Sequence, residues 1–213
     1  MKQKLVNFLL FQAGWLAVVL LGSGQYHWLG PVVVAAVVAW HLATSPSRQA
    51  EAQLILIALG IGLVWENLLT LAGVVVYPHG QLVGDLAPVW IVAMWAMLAT
   101  TLNLSLRWLH GRFTLAFVFG AIGGPLAFLA GERLGAVIFP DTMLAMLVLG
   151  AGWGLLFALL VPEESTDEHL QILARLAEMF SDKKFCSELR RANSNEQCHK
   201  LISHWNSRQQ LSA

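Results

Sequence analysis

Charge is what this chain has least of. Asp, Glu, Lys and Arg make up 12% of its 213 residues, against the ~25% usual in a soluble domain. The two signs cancel to a formal net charge of zero, which removes the electrostatic basis for nucleic-acid binding. Cysteine is nearly absent: Cys186 and Cys198 are the only two. Both lie beyond Pro162 in a charged stretch, which excludes a disulfide framework and fits a reducing compartment. No CxxC pair and no His-x-x-x-His occur, so neither a metal nor a cofactor is expected. No P-loop and no G-x-S-x-G is present, and Gly60-Ile61-Gly62 falls inside an apolar run instead of a strand–turn–helix. No internal repeat stands out, so the repeat signature of transporters is missing.

What fills the chain is hydrocarbon: 57% of the residues are hydrophobic and the mean hydropathy is +0.62. The run Leu54–Val76 is 23 residues long, about 35 Å as a helix, enough to cross a ~30 Å hydrocarbon core. Further spans are predicted at Leu5–Leu21, Trp28–Ala43, Val89–Leu109, Phe113–Leu129 and Thr142–Val161. The expected fold is an all-α, polytopic membrane protein: six transmembrane helices in a bundle, residues 1–162, and a short soluble helical tail, residues 163–213. Lys2 and Lys4 ahead of an apolar run imitate a signal peptide. No small-x-small cleavage site follows Leu21, so the run is taken as a retained first span.

Loop charges set the orientation. Lys2, Lys4, Arg48, Arg107 and Arg112 fall on one side and Arg133 alone on the other, which puts both termini in the cytoplasm. Tyr77, Trp28, Trp90, Trp108 and Trp153 are candidate interfacial anchors. The pair Gly120-x-x-x-Gly124 predicts a close helix crossing. Pro125 predicts a kink that frees the carbonyl of Ala121. Glu132 and Arg133 are assigned to the connection Gly131–Pro140.

Polar groups inside the spans are few and costly, roughly 2.5–3.5 kcal/mol for a charge at mid-helix on insertion scales. Glu66 is the leading candidate, with Asn67, Asn103, Thr100, Gln12, Asn7 and His41 beside it. Two accounts of Glu66 stand: a neutral acid hydrogen-bonded to Asn103 or Gln12, or a working group in proton transfer or ligand contact. Three functions follow. The first is an accessory or assembly partner of a membrane enzyme, in particular a lipid-handling one. The second is a small proton-coupled transporter or channel subunit using Glu66. The third is a membrane-embedded enzyme acting on an apolar substrate with Glu66 and Asn103. The partners implied are the lipid bilayer and another membrane protein or a second copy of the chain.

Beyond Pro162 the pattern becomes soluble and amphipathic. Ser165-Thr166-Asp167-Glu168 has the form of a capping box. Leu170, Leu173, Ala174, Ala177 and Phe180 follow at helical spacing. Further short helices are predicted over Lys184–Ala192 and from Ser194 onward. The run Leu155–Glu163 (LLFALLVPE), then His169-Leu170-Gln171, Cys186, Leu189-Arg190-Arg191-Ala192 and the helix from Ser194, resembles the C-terminal end of nitrogen-regulatory enzyme IIA proteins of the phosphotransferase system. The accepting histidine of that family sits in an N-terminal Ile-Pro-His-Gly context that the resemblance does not cover. Pro78-His79-Gly80 copies the tripeptide outside its domain and is read as coincidence. The resemblance therefore implies a fragment without phosphoryl-acceptor activity, or a docking module.

Residues 1–160 resemble a different family. Asn7–Trp15 (NFLLFQAGW), Ala87–Trp95 (APVWIVAMW), Thr101–Leu109 (TLNLSLRWL) and Gly123–Gly131 (GGPLAFLAG) look like the bacterial membrane family called domain of unknown function 2878. That resemblance implies an inner-membrane protein and no established activity.

Overall fold

A computed structural model describes residues 2–161 together with Phe185, Ser187 and Gln197, each of the three helical. The chain divides into two units, Met1–Pro162 and Glu163–Ala213. The capping box at Ser165 and the tail helices predicted after it lie outside the described residues.

The described part of the first unit holds six α-helices: α1 (Lys2–Gly22), α2 (Gly30–Thr44), α3 (Arg48–Leu71), α4 (Val89–Leu102), α5 (Phe113–Arg133) and α6 (Thr142–Leu160). Single 3-10 turns occupy His27–Leu29 and Arg107–Leu109. Among the described residues there is no strand, only an antiparallel bridge between Val76 and Ile138. Five helices are long and apolar enough to cross a membrane: α1, α2 with its preceding turn, α3, α5 and α6. The sixth, α4, has 14 residues, about 21 Å at ~1.5 Å per residue, short of a ~30 Å hydrocarbon core.

Hydrophobicity alone does not tell the faces of these helices apart, because lipid and core are both apolar. On α3 the outward residues are Leu56, Ile57, Leu63 and Val64, each more than half exposed. The inward face is Glu51, Ile55, Ala58, Gly62, Glu66 and Leu69. The small and polar side chains Glu51, Ala58, Gly62 and Glu66 at helical spacing, interleaved with Ile55 and Leu69, mark the inside.

Three boundaries differ from the sequence expectation, each for a local reason. Leu54–Val76 is not one helix. Helix α3 starts earlier, at Arg48, and stops at Leu71, because Gly73 takes a left-handed conformation (φ +67°). Gly73 N–H bonds the Thr70 carbonyl at 2.9 Å and Val74 N–H the Leu69 carbonyl at 3.0 Å, the pairing of a Schellman cap. Helix α4 ends at Leu102 and not at Leu109. There the Thr101 carbonyl accepts the N–H groups of both Leu104 and Leu106, so the chain turns. Glu132 and Arg133 form the last turn of α5 and not a connection; the same cap follows, with Leu134 at the C-cap and Gly135 at φ +79°.

The two capped ends reveal a repeat that the sequence expectation missed. With Gly73 set on Gly135, Gly62 falls on Gly124, Val76 on Ile138, Tyr77 on Phe139 and Pro78 on Pro140. The structure pairs them accordingly. Val76 and Ile138 exchange both backbone hydrogen bonds, at 2.9 and 2.8 Å. A Cβ on Gly62 would lie 2.2 Å from the ring of Trp95, and one on Gly124 would lie 2.3 Å from that of Trp153. Those two indoles stack on each other, centroids 4.7 Å apart and planes 15° from parallel. The hairpins α3–α4 and α5–α6 are thus built alike, each seating a tryptophan of its second helix on a glycine of its first. Few residues match between them, which hid the relation.

The predicted close crossing of α5 is present: Gly120 meets the Trp153 backbone and Gly124 its ring. Pro125 lies inside a continuous α5, and the carbonyl of Ala121 faces Gly150 of α6, where a Cβ would stand 3.3 Å away. Of the five candidate anchors, Trp28 and Trp108 are exposed at 60% and 47%. Tyr77 and Trp90 are buried in the core, and Trp153 packs between helices.

Candidate functional site

Glu66 is fully buried on the inner face of α3. Neither Asn103 nor Gln12 reaches it. Trp95 Nε1 donates to Oε1 at 3.0 Å and Tyr77 Oη donates to Oε2 at 2.7 Å. Tyr77 comes from the segment after the Gly73 cap, which folds back inward so that Val74, Val75 and Tyr77 are all buried. Burial, and next the Glu66 carboxylate beside it, pushes the Tyr77 hydroxyl well above its usual range. It therefore holds its proton and serves as a donor. Trp95 can only donate. Both carboxyl oxygens are engaged by the protein itself.

A second cluster ties α2, α3 and the end of α4. His41 Nε2 and Glu51 Oε2 are 3.0 Å apart, and Asn103 Nδ2 donates to Glu51 Oε1 at 3.0 Å. His41 and Glu51 are both buried. A third cluster locks the start of α1 to the end of α4: Asn7 Nδ2 donates to the Thr100 carbonyl at 3.1 Å, and Ser105 Oγ donates to Asn7 Oδ1 at 2.8 Å. Thr100 Oγ1 turns back onto the Met97 carbonyl at 2.7 Å. Asn67 holds the loop ahead of α4, accepting the Ala87 N–H on Oδ1 at 3.0 Å, while its Nδ2 donates to the Leu63 carbonyl. Gln12 is exposed on α1 and makes no side-chain hydrogen bond.

The candidate residues therefore fall into separate groups. Glu66 and Asn103 do not share one. Three members escaped the sequence reading. Glu51 lies between the predicted spans Trp28–Ala43 and Leu54–Val76, where a lone acid beside an apolar run is a usable signal. Tyr77 reads in the sequence as an interfacial anchor. Trp95 carries no mark in the sequence, because an indole N–H acquires a role only from what it faces.

Between the α1/α4 pair and the α5/α6 hairpin lies a cavity of about 440 Å³, within the ~300–1,000 Å³ usual for small-molecule sites. Its wall is largely apolar and aromatic, including Phe11, Trp15, Met94 and Phe128. Glu66, Gln12, Thr101 and Ser105 supply side-chain oxygen at its edge, and no Lys or Arg lines it. Among the described residues, Trp65 Nε1 and Trp153 Nε1 are buried without a partner. The repeat accounts for the second. Phe128 occupies the place in α5 that Glu66 occupies in α3, so Trp153 lacks the acceptor that Trp95 has. No group of three metal-binding side chains occurs among the described residues.

An all-α, multi-pass membrane unit with buried, self-paired polar clusters is the class these features define. The family described as "Protein of unknown function (DUF2878)" matches residues 4–159, and the chain belongs to that family. A second family, the phosphoenolpyruvate-dependent sugar phosphotransferase system EIIA 2, matches residues 153–205. There the chain is 45% identical over 49 residues to proteins named nitrogen regulatory protein in Klebsiella oxytoca and Escherichia coli (strain K12). The match takes in 23% of this chain and 30% of those relatives, so the chain spans less than a third of their length. No solved structure matches. Trp153–Leu159, where the two similarities overlap, is helical, part of the end of α6.

Proposed function

We propose that the membrane unit is a non-catalytic inner-membrane protein, an accessory or assembly partner of a membrane enzyme that handles lipid. One observation carries this reading: both oxygens of Glu66 are taken by protein donors, Tyr77 and Trp95. With one donor already on each oxygen, the acid carries structural bonds that work as a general base or proton carrier would have to break or share. Here the acid is a structural acceptor that pins the loop after α3 to α4. The enzyme reading loses its motive, since Asn103 is spent on Glu51. The largely apolar cavity supports a lipid-side role.

The transporter reading keeps one supporting fact, that Glu66 lies on the cavity wall. Glu66→Gln separates the two. Unchanged growth and unchanged co-purification of partner proteins fit the accessory reading. Loss of proton-dependent flux in vesicles, with folding retained, would replace it. Orientation follows from the basic residues: a reporter fused after Leu82 should read as non-cytoplasmic. The tail is taken as an appended fragment. A docking role in the phosphotransferase system would show as capture of one of that system's proteins by the full chain and its loss on deletion from Glu163.

A further inference from the structure

We infer that the cavity between α1/α4 and α5/α6 binds one neutral, single-chain lipid whose hydroxyl or carbonyl pairs with the side chain of Gln12. The inference stands apart from the accessory reading and survives its failure.

Gln12 lies at the middle of α1, exposed and with no partner. An amide at that depth faces no water, and leaving its groups unpaired in hydrocarbon is costly. The other polar side chains of the membrane unit near it are already paired: Asn7 with Ser105 and Thr100, Glu66 with Tyr77 and Trp95. Gln12 is also on the cavity wall. Phe8, Phe119 and Leu126 line the same cavity and are exposed at 47%, 38% and 59%, so it opens sideways, at the level of the lipid chains.

The lining restricts the chemistry. With no Lys or Arg on the wall, a phosphate or carboxylate head group has no counter-charge there. A two-chain phospholipid would also have to bring its head group to mid-helix depth. A hydroxyl or carbonyl on a hydrocarbon chain matches an amide, which can donate and accept, and leaves the chain against Trp15, Met94 and Phe128.

Gly123 gives a clean way to close the site. It lines the cavity, and a Cβ there would meet nothing within 4 Å, so Gly123→Leu starts from an unobstructed Cβ and occupies cavity space. Gly60 is equally open but outside the lining, so Gly60→Leu is the control. The probe is a diazirine-bearing hexadecanol, photolysed with the full chain in nanodiscs and mapped by peptide mass spectrometry, with hexadecanol, hexadecane and palmitate as competitors. The expected result is labelling of cavity-lining peptides of α1 and α5, lost in Gly123→Leu and kept in Gly60→Leu. Hexadecanol should compete better than hexadecane by about fivefold, the factor that one neutral hydrogen bond of ~1 kcal/mol carries. Gln12→Leu should abolish that preference. Labelling spread evenly over the lipid-facing helices, or equal competition by palmitate, overturns the inference. So does a drop in oligomer size with Gln12→Leu, which would make a second copy the partner of Gln12.

Discussion

Tyr77 sets its hydroxyl 2.7 Å from Oε2 of Glu66, across a helix cap and a reversal of the chain. The bond joins the end of the α3 hairpin to its own middle. With Trp95 on the other oxygen, the acid becomes the knot of the α3–α4 hairpin.

Glu66→Leu would therefore orphan two buried donors and cost about 2–6 kcal/mol, at ~1–3 kcal/mol for each unsatisfied group. Glu66→Gln retains an acceptor for Trp95 and turns the Tyr77 contact into an amide-to-hydroxyl bond, costing about 1 kcal/mol or less on the same scale. Thermal unfolding of both variants in one detergent is the check. Equal losses would show that the negative charge itself is what the bundle needs.

The raised Tyr77 hydroxyl predicts a pH dependence with a definite sign. Tyr77 keeps its proton in the folded state at a pH where an unfolded tyrosine has lost it. The stability tied to it is complete below the unfolded value of about 10 and falls as pH rises above that, by about 1.4 kcal/mol per pH unit until the folded group itself ionises. A tyrosinate absorbance titration should show one tyrosine resisting ionisation until the protein unfolds. Tyr77→Phe should remove that resistant signal.

Glycines of the hairpins are packing surfaces, and neighbours on one helix should respond oppositely. Gly62→Ala drives a methyl into Trp95 at 2.2 Å, so overpacking should cost about 1–3 kcal/mol. Gly60→Ala meets nothing and should gain about 0.5–1 kcal/mol from helix propensity. Denaturation midpoints of the two variants decide it. A stabilised Gly62→Ala would refute the seating of Trp95 on α3.

The repeat makes its own forecast. Phe128→Glu with Phe139→Tyr should rebuild around Trp153 the arrangement that Glu66 and Tyr77 make around Trp95. The double variant is expected to be about 1–3 kcal/mol more stable than Phe128→Glu alone, while Phe139→Tyr alone should destabilise. A double-mutant cycle read by thermal unfolding measures that coupling; additive effects would end the equivalence of the hairpins.

Much of the fold was legible because membrane spans are written in composition. Helices α1, α5 and α6 fall within a few residues of their predicted runs. The misplaced ends have a common cause. Gly73 breaks α3 inside an unbroken apolar stretch, and the polar end of α4 turns at Thr101, and neither event alters hydropathy. Glu66 and Asn7 were identifiable as buried polar groups because any polar group at that depth must be sheltered. Their partners were not, since Asn7 finds Ser105 and Thr100, and Glu66 finds Trp95, only across the packed bundle.

The amino-acid sequence by itself determined that this is an all-α, multi-pass membrane protein, because long apolar runs have few alternatives to the helix in lipid. It also determined that Glu66 needs shelter. Tertiary structure alone decided who shelters it, that the hairpins repeat, and that a cavity remains between α1/α4 and α5/α6. Those facts arise from distances between residues far apart in the chain, where a glycine opposite an indole, or a phenylalanine in place of an acid, changes packing and pairing and leaves hydropathy almost untouched.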